Sequence, residues 1–251
     1  MKQRAVTACV LVIGNEILSG RTQDTNLNHI ALTVGSWGIQ IREARVIPDV
    51  EEVIVAAVND ARARFDYLFT TGGIGPTHDD ITTDCIAAAF GVNLVESPEI
   101  AAIIQQRSAP LPVMEARMRM ARIPAGATLI DNPTGGPQGF RIENVFVMAG
   151  IPMVMRAMLS SLEGKLESGP VVRSRSVTAY LGESQIATAL GTIQVNHPEI
   201  DLGSYPFFKN ERYGTSLVMR GTDESALDAM LEEVKAAIIA AGEVPEDLQS
   251  G

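Results

Sequence analysis

The sequence TTGGIGPTHDDIT, residues 70–82, combines three glycines with a cluster of hydroxyl and acidic side chains. Residues 65–69 before it are aromatic and apolar, which predicts a buried strand, and residues 84–90 after it have the apolar content of a helix. The glycines therefore lie at a strand-to-helix corner. At such a corner the backbone can approach a ligand closely, and the first N–H groups of the helix favour a phosphate or another anion.

This corner differs from the two commonest phosphate-binding loops, because it lacks the Lys-Ser/Thr ending of a Walker A loop and the GxGxxG spacing. A purely structural interpretation is also open. Thr77 and Asp80 have the spacing of a capping box, which would make the segment a well-capped helix start after a tight turn. Capping alone needs neither three glycines nor the second carboxylate of Asp79, so we favour a ligand site.

Strand and helix patterns alternate over the first 90 residues. Residues 8–13 form a continuous apolar run, which is typical of a central parallel strand covered on both faces. Helical spacing follows from Thr25 to Gly35, residues 39–47 alternate like a second strand, and a second helix starts at Pro48. This order predicts an α/β fold with a doubly wound, mostly parallel sheet, whose ligand lies at the carboxyl ends of the strands.

The same domain is expected to continue through a second set of elements. Helices are predicted over about residues 98–107 and 113–121, a strand over residues 127–130, a hairpin over residues 139–148, and a further helix from Pro152.

The amino-acid composition changes at residues 165–170, where glycine, serine and proline make a short linker. We therefore predict a larger domain over residues 1–168 and a smaller one over residues 171–251. Patterns in the second part have the order βαββα, which suggests an α+β two-layer domain with a last helix over residues 224–241. Residues 243–251 are expected to be a frayed tail.

The composition narrows the class of partner. The chain has 251 residues, 46% of them hydrophobic, and a formal net charge of −10. Such an acidic chain is not expected to bind nucleic acid or an anionic membrane, so small molecules or other proteins are the expected partners.

No apolar run approaches the roughly 18 residues of a membrane span, and the amino terminus has no signal-peptide pattern, so we expect a cytoplasmic protein. Cys9 and Cys85 lie in apolar stretches and are expected to be reduced core residues.

Three methionines, Met114, Met118 and Met120, lie on or beside one predicted helix. Such a stripe is more typical of an adaptable core or a subunit interface than of a ligand surface. Because it offers an apolar surface, we expect a homo-oligomer.

Three segments fall at predicted carboxyl ends of strands: residues 14–16, residues 70–82 and residues 132–137. In a doubly wound sheet such loops can converge on one crevice. The carboxylates of Glu16, Asp79 and Asp80 could hold a divalent cation such as Mg²⁺, or accept hydrogen bonds from the N–H groups of a pterin or purine. Both roles fit a phosphorylated heterocycle.

Several of these side chains have an equally simple structural interpretation. Glu16 could serve nearby backbone N–H groups, and Asp24 is better interpreted as a helix cap. His78 could carry a proton near neutral pH, but a solvent-facing loop histidine is as good an interpretation. Arg21, Arg45 and Lys209 are possible phosphate contacts, without a signal that selects any of them.

The three segments, taken in order, resemble the molybdopterin-binding domain of molybdenum-cofactor biosynthesis proteins. The chain is most similar to the amino-terminal part of competence/damage-inducible protein A and to the corresponding domain of eukaryotic FAD synthase. The resemblance rests on residues 14–18, 71–82, 132–133, 139–140 and 150–152, and on residues 181–184 and 203–206 in the second domain. It implies that the glycine corner lines a pterin or nucleotide pocket.

From the residues and the resemblance together, the candidate ligand-binding residues are Gly14, Asn15, Glu16, Thr71, Gly72, Gly73, Gly75, Pro76, Thr77, Asp79, Asp80, Thr82, Asn132 and Gly135. Asp79 and Asp80 are also the candidate ligands of a divalent metal ion, and the candidate catalytic residues if the protein is a hydrolase.

The chain departs from the family at Met153-Val154, where many relatives carry a Ser-Glu pair. The leading hypothesis is a protein that binds molybdopterin or a related pterin or nucleotide. The alternative implied by the resemblance is a metal-dependent pyrophosphohydrolase that cleaves ADP-ribose or FAD. In a third hypothesis, the crevice is vestigial and the protein is an interaction module.

Overall fold

The computed structural model describes residues 4–209 and 211–247. The chain divides into two compact units, Met1–Pro170 and Val171–Gly251. Among the described residues, none of the helices has the length and apolar character needed to span a bilayer.

The first unit is built on a six-stranded sheet in which five strands run in one direction and one runs opposite to them. The first unit has eight strands among its described residues: β1 (Val6–Ile13), β2 (Ile39–Ile47), β3 (Tyr67–Thr71), β4 (Leu94–Glu96), β5 (Arg122–Pro124), β6 (Thr128–Ile130), β7 (Gly139–Ile142) and β8 (Val145–Met148). The order in the large sheet is β2-β1-β3-β8-β7-β6, and β4 and β5 pair separately. The strands β2, β1, β3 and β8 are parallel, which confirms the predicted fold class.

Helices cover both faces of this sheet. They are α1 (Asn15–Leu18), α2 (Asn26–Ser36), α3 (Glu51–Arg64), α4 (Thr82–Phe90), α5 (Pro98–Gln105), α6 (Leu111–Met118) and α7 (Pro152–Ser160), with a 3₁₀ turn at Arg119–Ala121. Alternate residues of β1 point to opposite faces: Cys9 and Leu11 enter one core cluster, and Val10 and Val12 enter the other. Burial on both faces explains why β1 is a continuous apolar run.

The strands and helices of the second unit follow one another in the predicted βαββα order. Strand β9 (Arg173–Ala179), helix α8 (Glu183–Asn196), strands β10 (Asp201–Lys209) and β11 (Arg212–Gly221) and helix α9 (Glu224–Ala240) follow one another. One apolar face of α9, including Leu227, Met230 and Val234, is fully buried in a core cluster of this unit, as its spacing predicts.

Some local predictions were wrong. The capping-box interpretation fails because α4 begins at Thr82, five residues after Thr77. The expected frayed tail forms a short strand, β12 (Glu246–Asp247), which pairs with Thr178 and Val177 of β9. The remainder of that tail, residues 248–251, lies outside the described residues.

The methionines that suggested an oligomer interface belong to the edge of the core instead. Met114, Met118 and Met120 are partly buried and pack against the core of the first unit. Leu111 and Val113 in the same segment are exposed. The homo-oligomer stays a prediction, but the methionines no longer supply its reason.

Candidate functional site

The backbone at the end of β3 explains two of the glycines in the corner. Gly72 has a φ of 108°, and a methyl group on its Cα would lie 2.1 Å from the carbonyl oxygen of Ile13. Gly73 has a φ of 68°, and a methyl group there would lie 2.2 Å from the hydroxyl oxygen of Thr82. Because a side chain is disfavoured at positive φ and no atom fits at these distances, only glycine suits either position.

The corner leaves backbone donors without a protein acceptor. Within the described residues, the N–H groups of Gly73, Ile74 and Gly75 donate to no protein atom. The N–H of Thr82 donates to the carbonyl oxygen of Gly73 at 3.0 Å, which fastens the corner to the first turn of α4. Consecutive free N–H groups in such a turn favour an anion.

Thr77 and Asp80 form a turn of their own between the glycines and α4. Asp80 Oδ2 accepts hydrogen bonds from the Thr77 N–H, at 2.8 Å, and from the Thr77 hydroxyl. Hydrogen bonds from the same hydroxyl and from the Asp79 backbone N–H lower the pKa of the Asp79 carboxyl. Since a hydroxyl has one proton to donate, the two carboxylates compete for it.

A cavity of about 600 Å³ lies beside this corner. Eight of the candidate residues line it: Glu16, Gly72, Gly73, Gly75, Pro76, Thr77, Asp80 and Asn132. Its volume falls within the range of about 300–1,000 Å³ that is typical of small-molecule sites. Two of the three predicted segments and Glu16 of the first therefore meet at one cavity.

The amide of Asn26 ties two walls of the cavity together. Asn26 is the first residue of α2 and is buried, and its Nδ2 donates to Thr71 Oγ1 and to the Gly150 carbonyl oxygen, both at 2.8 Å. The Thr71 hydroxyl donates in turn to the carbonyl oxygen of Ala149 at 2.9 Å. Thr71 is therefore a structural residue that joins the ends of β3 and β8.

Asp24 orients this amide by capping α2. Its carboxylate accepts hydrogen bonds from the N–H groups of Asn26, at 3.3 Å, and Leu27, at 3.0 Å. These bonds agree with the capping interpretation.

The loop at residues 132–137 is held by its own asparagine. Asn132 Nδ2 donates to the carbonyl oxygen of Pro137 at 2.9 Å, and its Oδ1 accepts from the Thr134 N–H at 3.1 Å and the Thr134 hydroxyl at 2.6 Å. Asn132 is also buried. Although Asn132 lines the cavity, its amide serves the loop.

The remaining candidate residues of the first segment and of the corner lie outside the cavity lining. Gly14 and Asn15 hold the turn after β1, where the Asn15 N–H donates to Asp49 at 2.8 Å. Thr82 is buried beneath Gly73, and its hydroxyl has no partner within the described residues.

The exposed part of the corner and the end of the third segment also lie outside the cavity lining. His78 and Asp79 are exposed, with 96% and 62% of their side-chain surfaces accessible to solvent. Gly135 borders a second, smaller cavity.

The candidate metal ligands do not form a cluster. Asp80 borders the cavity whereas Asp79 does not. In residues 4–209 and 211–247, no group of three or more histidine, cysteine, aspartate or glutamate side chains could hold a metal ion.

Two polar residues of the cavity carried no signal in the sequence. Arg122, at the start of β5, donates from Nη2 to Asp84 at 3.3 Å, while its Nε is buried without a partner within the described residues. Gln138, one residue beyond the predicted third segment, likewise has a buried Oε1 without such a partner. Arg122 adds a cation to the cavity, whereas the basic residues considered from the sequence, Arg21, Arg45 and Lys209, do not line it.

The walls of the cavity are largely apolar. They come from Ile74, Met120, Ile123, Phe140, Ile151, Val154 and Met158. Val154, at the position where the sequence departs from the family resemblance, gives the cavity an apolar wall there.

Comparison with known proteins identifies the family. Residues 9–167 match the family described as "Probable molybdopterin binding domain", and residues 171–247 match the middle domain of FAD synthase. The chain belongs to this molybdopterin-binding domain family, which confirms the resemblance seen in the sequence.

Individual relatives support the same assignment. A protein from Pyrobaculum calidifontis is 32% identical over 216 residues, which cover 80% of each chain. A CinA-like protein from Gemmatimonas aurantiaca is 36% identical over 73% of this chain, and the matched region is 46% of that relative. The crystal structure of the protein CinA from Thermoplasma acidophilum, of unknown function, has 32% identity and a TM-score of 0.59, covering 64% of this chain and 98% of that one.

Proposed function

We propose that the cavity binds a phosphorylated heterocycle of the pterin or nucleotide class. The observation that carries this proposal is the meeting of free backbone donors and a cation at one cavity: the N–H groups of Gly73, Ile74 and Gly75 with the guanidinium of Arg122. Backbone donors at a glycine turn and an arginine fork both suit a phosphate group. The family match supports a pterin-like ligand.

The rest of the cavity suits a flat ring system with polar edges. Apolar side chains such as Ile123, Phe140 and Met158 can cover the faces of a ring. Glu16, whose carboxylate accepts no hydrogen bond within the described residues, and the amide of Gln138 can pair with N–H and carbonyl groups on its edge. A phosphorylated pterin or purine has both features.

We also place this binding protein in the cytoplasm, as a homo-oligomer. Cys9 and Cys85 are both buried free thiols, which suits a reducing compartment. Exposed Leu111 and Val113 offer apolar surface for a second subunit. Light scattering that gives the mass of a monomer at micromolar concentration would rule out the oligomer.

The binding proposal is tested by calorimetric titration of the purified protein with neopterin triphosphate, AMP, GMP, ADP-ribose and FAD. At least one of these is expected to bind, and Arg122→Gln should weaken its binding by about tenfold through loss of a charge-assisted contact. The same substitution should leave binding of the dephosphorylated counterpart unchanged.

Arg119→Gln is the matched control, because Arg119 is exposed, lies three residues away and borders neither cavity described above. It removes the same charge and should leave affinity unchanged. Failure of every compound to bind, together with a purified protein in which mass spectrometry finds no retained heterocycle, would refute the proposal. Release of AMP from ADP-ribose or FAD would add turnover to binding.

A further inference from the structure

A second cavity, of about 150 Å³, adjoins the cavity described above. We call it the annex. Its lining comes from the end of α5 and the residues just after it, from α6 and the 3₁₀ turn that follows, and from the loop after β6: Ile103, Ile104, Arg107, Arg117, Met120, Gly135, Gly136 and Pro137. Because Met120, Gly136 and Pro137 also line the large cavity, the two spaces lie side by side.

The annex contains two arginines and no acidic side chain. Within the described residues, neither Arg107 nor Arg117 has a carboxylate partner, whereas Arg122 in the large cavity pairs with Asp84. Arg117 Nη1 donates to the carbonyl oxygen of Arg107 at 3.3 Å, which holds its half-buried guanidinium near the end of α5. One bond engages few of the five donors of a guanidinium, so most donors remain available.

The size of the annex limits what it can accept. Its volume is well below the roughly 300 Å³ at which small-molecule sites begin, so it fits a substituent of a ligand better than a separate ring system. A planar guanidinium fork matches a phosphate or carboxylate, and two forks without acidic partners favour a doubly charged group.

We propose that the annex is a subsite for a second phosphate group on the ligand of the large cavity. This inference rests on the proposed function, since it assumes that the first phosphate and the heterocycle occupy that cavity. It assigns Arg107 and Arg117 the role of selecting ligands with two phosphate groups over ligands with one. Gly135, a candidate residue that borders only the annex, then belongs to this subsite.

The test compares nucleotides that differ in one phosphate. Calorimetric titrations of AMP and GMP are compared with those of ADP, GDP and adenosine 3′,5′-bisphosphate. In the unmodified protein at least one of the second group should bind at least about tenfold more tightly than its monophosphate, which corresponds to about 1.4 kcal/mol. That advantage should disappear in Arg107→Gln/Arg117→Gln, with monophosphate affinity unchanged.

The double variant Arg42→Gln/Arg119→Gln removes two exposed arginines that border neither cavity and is the matched control. It should keep the advantage. The single variant Arg107→Gln, at an exposed position, should fold normally and lose part of the advantage. An advantage that survives in the annex double variant, or that is absent from the unmodified protein, would overturn the subsite.

A separate measurement distinguishes failure of the annex from failure of the proposed function. If no nucleotide binds, the line width of inorganic phosphate is followed by ³¹P NMR in the presence of each protein. Broadening that is lost only in the annex double variant supports the annex as an anion site while the proposed function fails. If the broadening is equal in the unmodified protein and in that variant, or is absent from both, the annex is overturned as well.

Discussion

The glycine corner at residues 70–82 and the loop at residues 132–137 look alike in the sequence, since both join glycines to short polar residues. In the structure they use their polar groups in opposite ways. The N–H groups of Gly73, Ile74 and Gly75 in the corner have no protein acceptor within the described residues, while the loop uses the side chain of Asn132 in three internal hydrogen bonds. The corner therefore has free donors beside the large cavity, and the loop contributes residues to the lining of both cavities.

This difference shows why composition does not assign a role to a loop. Gly73, whose φ is 68°, has an N–H without a protein acceptor within the described residues, whereas the N–H of Gly72 donates to the Met148 carbonyl oxygen at 3.2 Å. Asn132 uses both lone pairs of Oδ1 and one of its two Nδ2 protons inside its loop, so a single N–H is left for a ligand. The three predictions that follow test this contrast, beginning with the largest expected effect.

Gly73→Ala should lower the free energy of unfolding by about 2–4 kcal/mol, because it combines positive φ with a clash against Thr82. Urea denaturation measures the change. Gly126→Ala is the matched control: its φ is 85° but no atom lies within 4 Å of the added methyl group, so about 1–2 kcal/mol is expected. Equal losses in the two variants would mean that the corner is not tightly packed.

Asn132→Ala should cost about 1–3 kcal/mol of unfolding free energy, because the three hydrogen bonds of the Asn132 side chain to Thr134 and Pro137 are lost. Asn132→Asp keeps the acceptor for Thr134 and loses only the donor to Pro137, so it should recover part of that stability. If Asn132→Ala weakened ligand binding without any loss of stability, Asn132 would be a ligand contact and the contrast would be broken.

Asp24→Ala should lower the free energy of unfolding by about 1 kcal/mol through loss of the cap on α2. A small loss of ligand affinity should accompany it, because the helix that carries Asn26 ties Thr71 to Gly150 beside the corner. Thermal unfolding and calorimetry measure the two effects. Asp223→Ala, which removes the cap of α9 in the second unit, should cost similar stability and leave affinity unchanged.

The fold was largely predictable because its signals are local and repeated. Both faces of β1 are buried, so its apolar run identifies a central strand without any knowledge of its neighbours. The αβ alternation then restricts the topology to a mostly parallel sheet. The short pairing of β4 with β5 was missed, since three-residue strands carry little periodicity.

The site was predictable only where the backbone itself forms it. Gly72 and Gly73 mark a turn that few other residues could make, so their position could be inferred from sequence. Arg122 reaches the cavity because of the pairing between β4 and β5, and no local pattern distinguishes it from a surface arginine. The sequence likewise could not show that Asp79 is exposed whereas the adjacent Asp80 turns back to Thr77.

The central claim is that the free N–H groups of the corner hold the phosphate of a heterocyclic ligand. The most direct measurement follows the ¹H–¹⁵N resonances of Gly73, Ile74 and Gly75 during titration with the phosphorylated compound that binds most tightly in calorimetry, and with its dephosphorylated counterpart. We predict large shifts of these three resonances with the first compound and small ones with the second. Equal shifts with both compounds, or shifts confined to residues away from the corner, would contradict the claim.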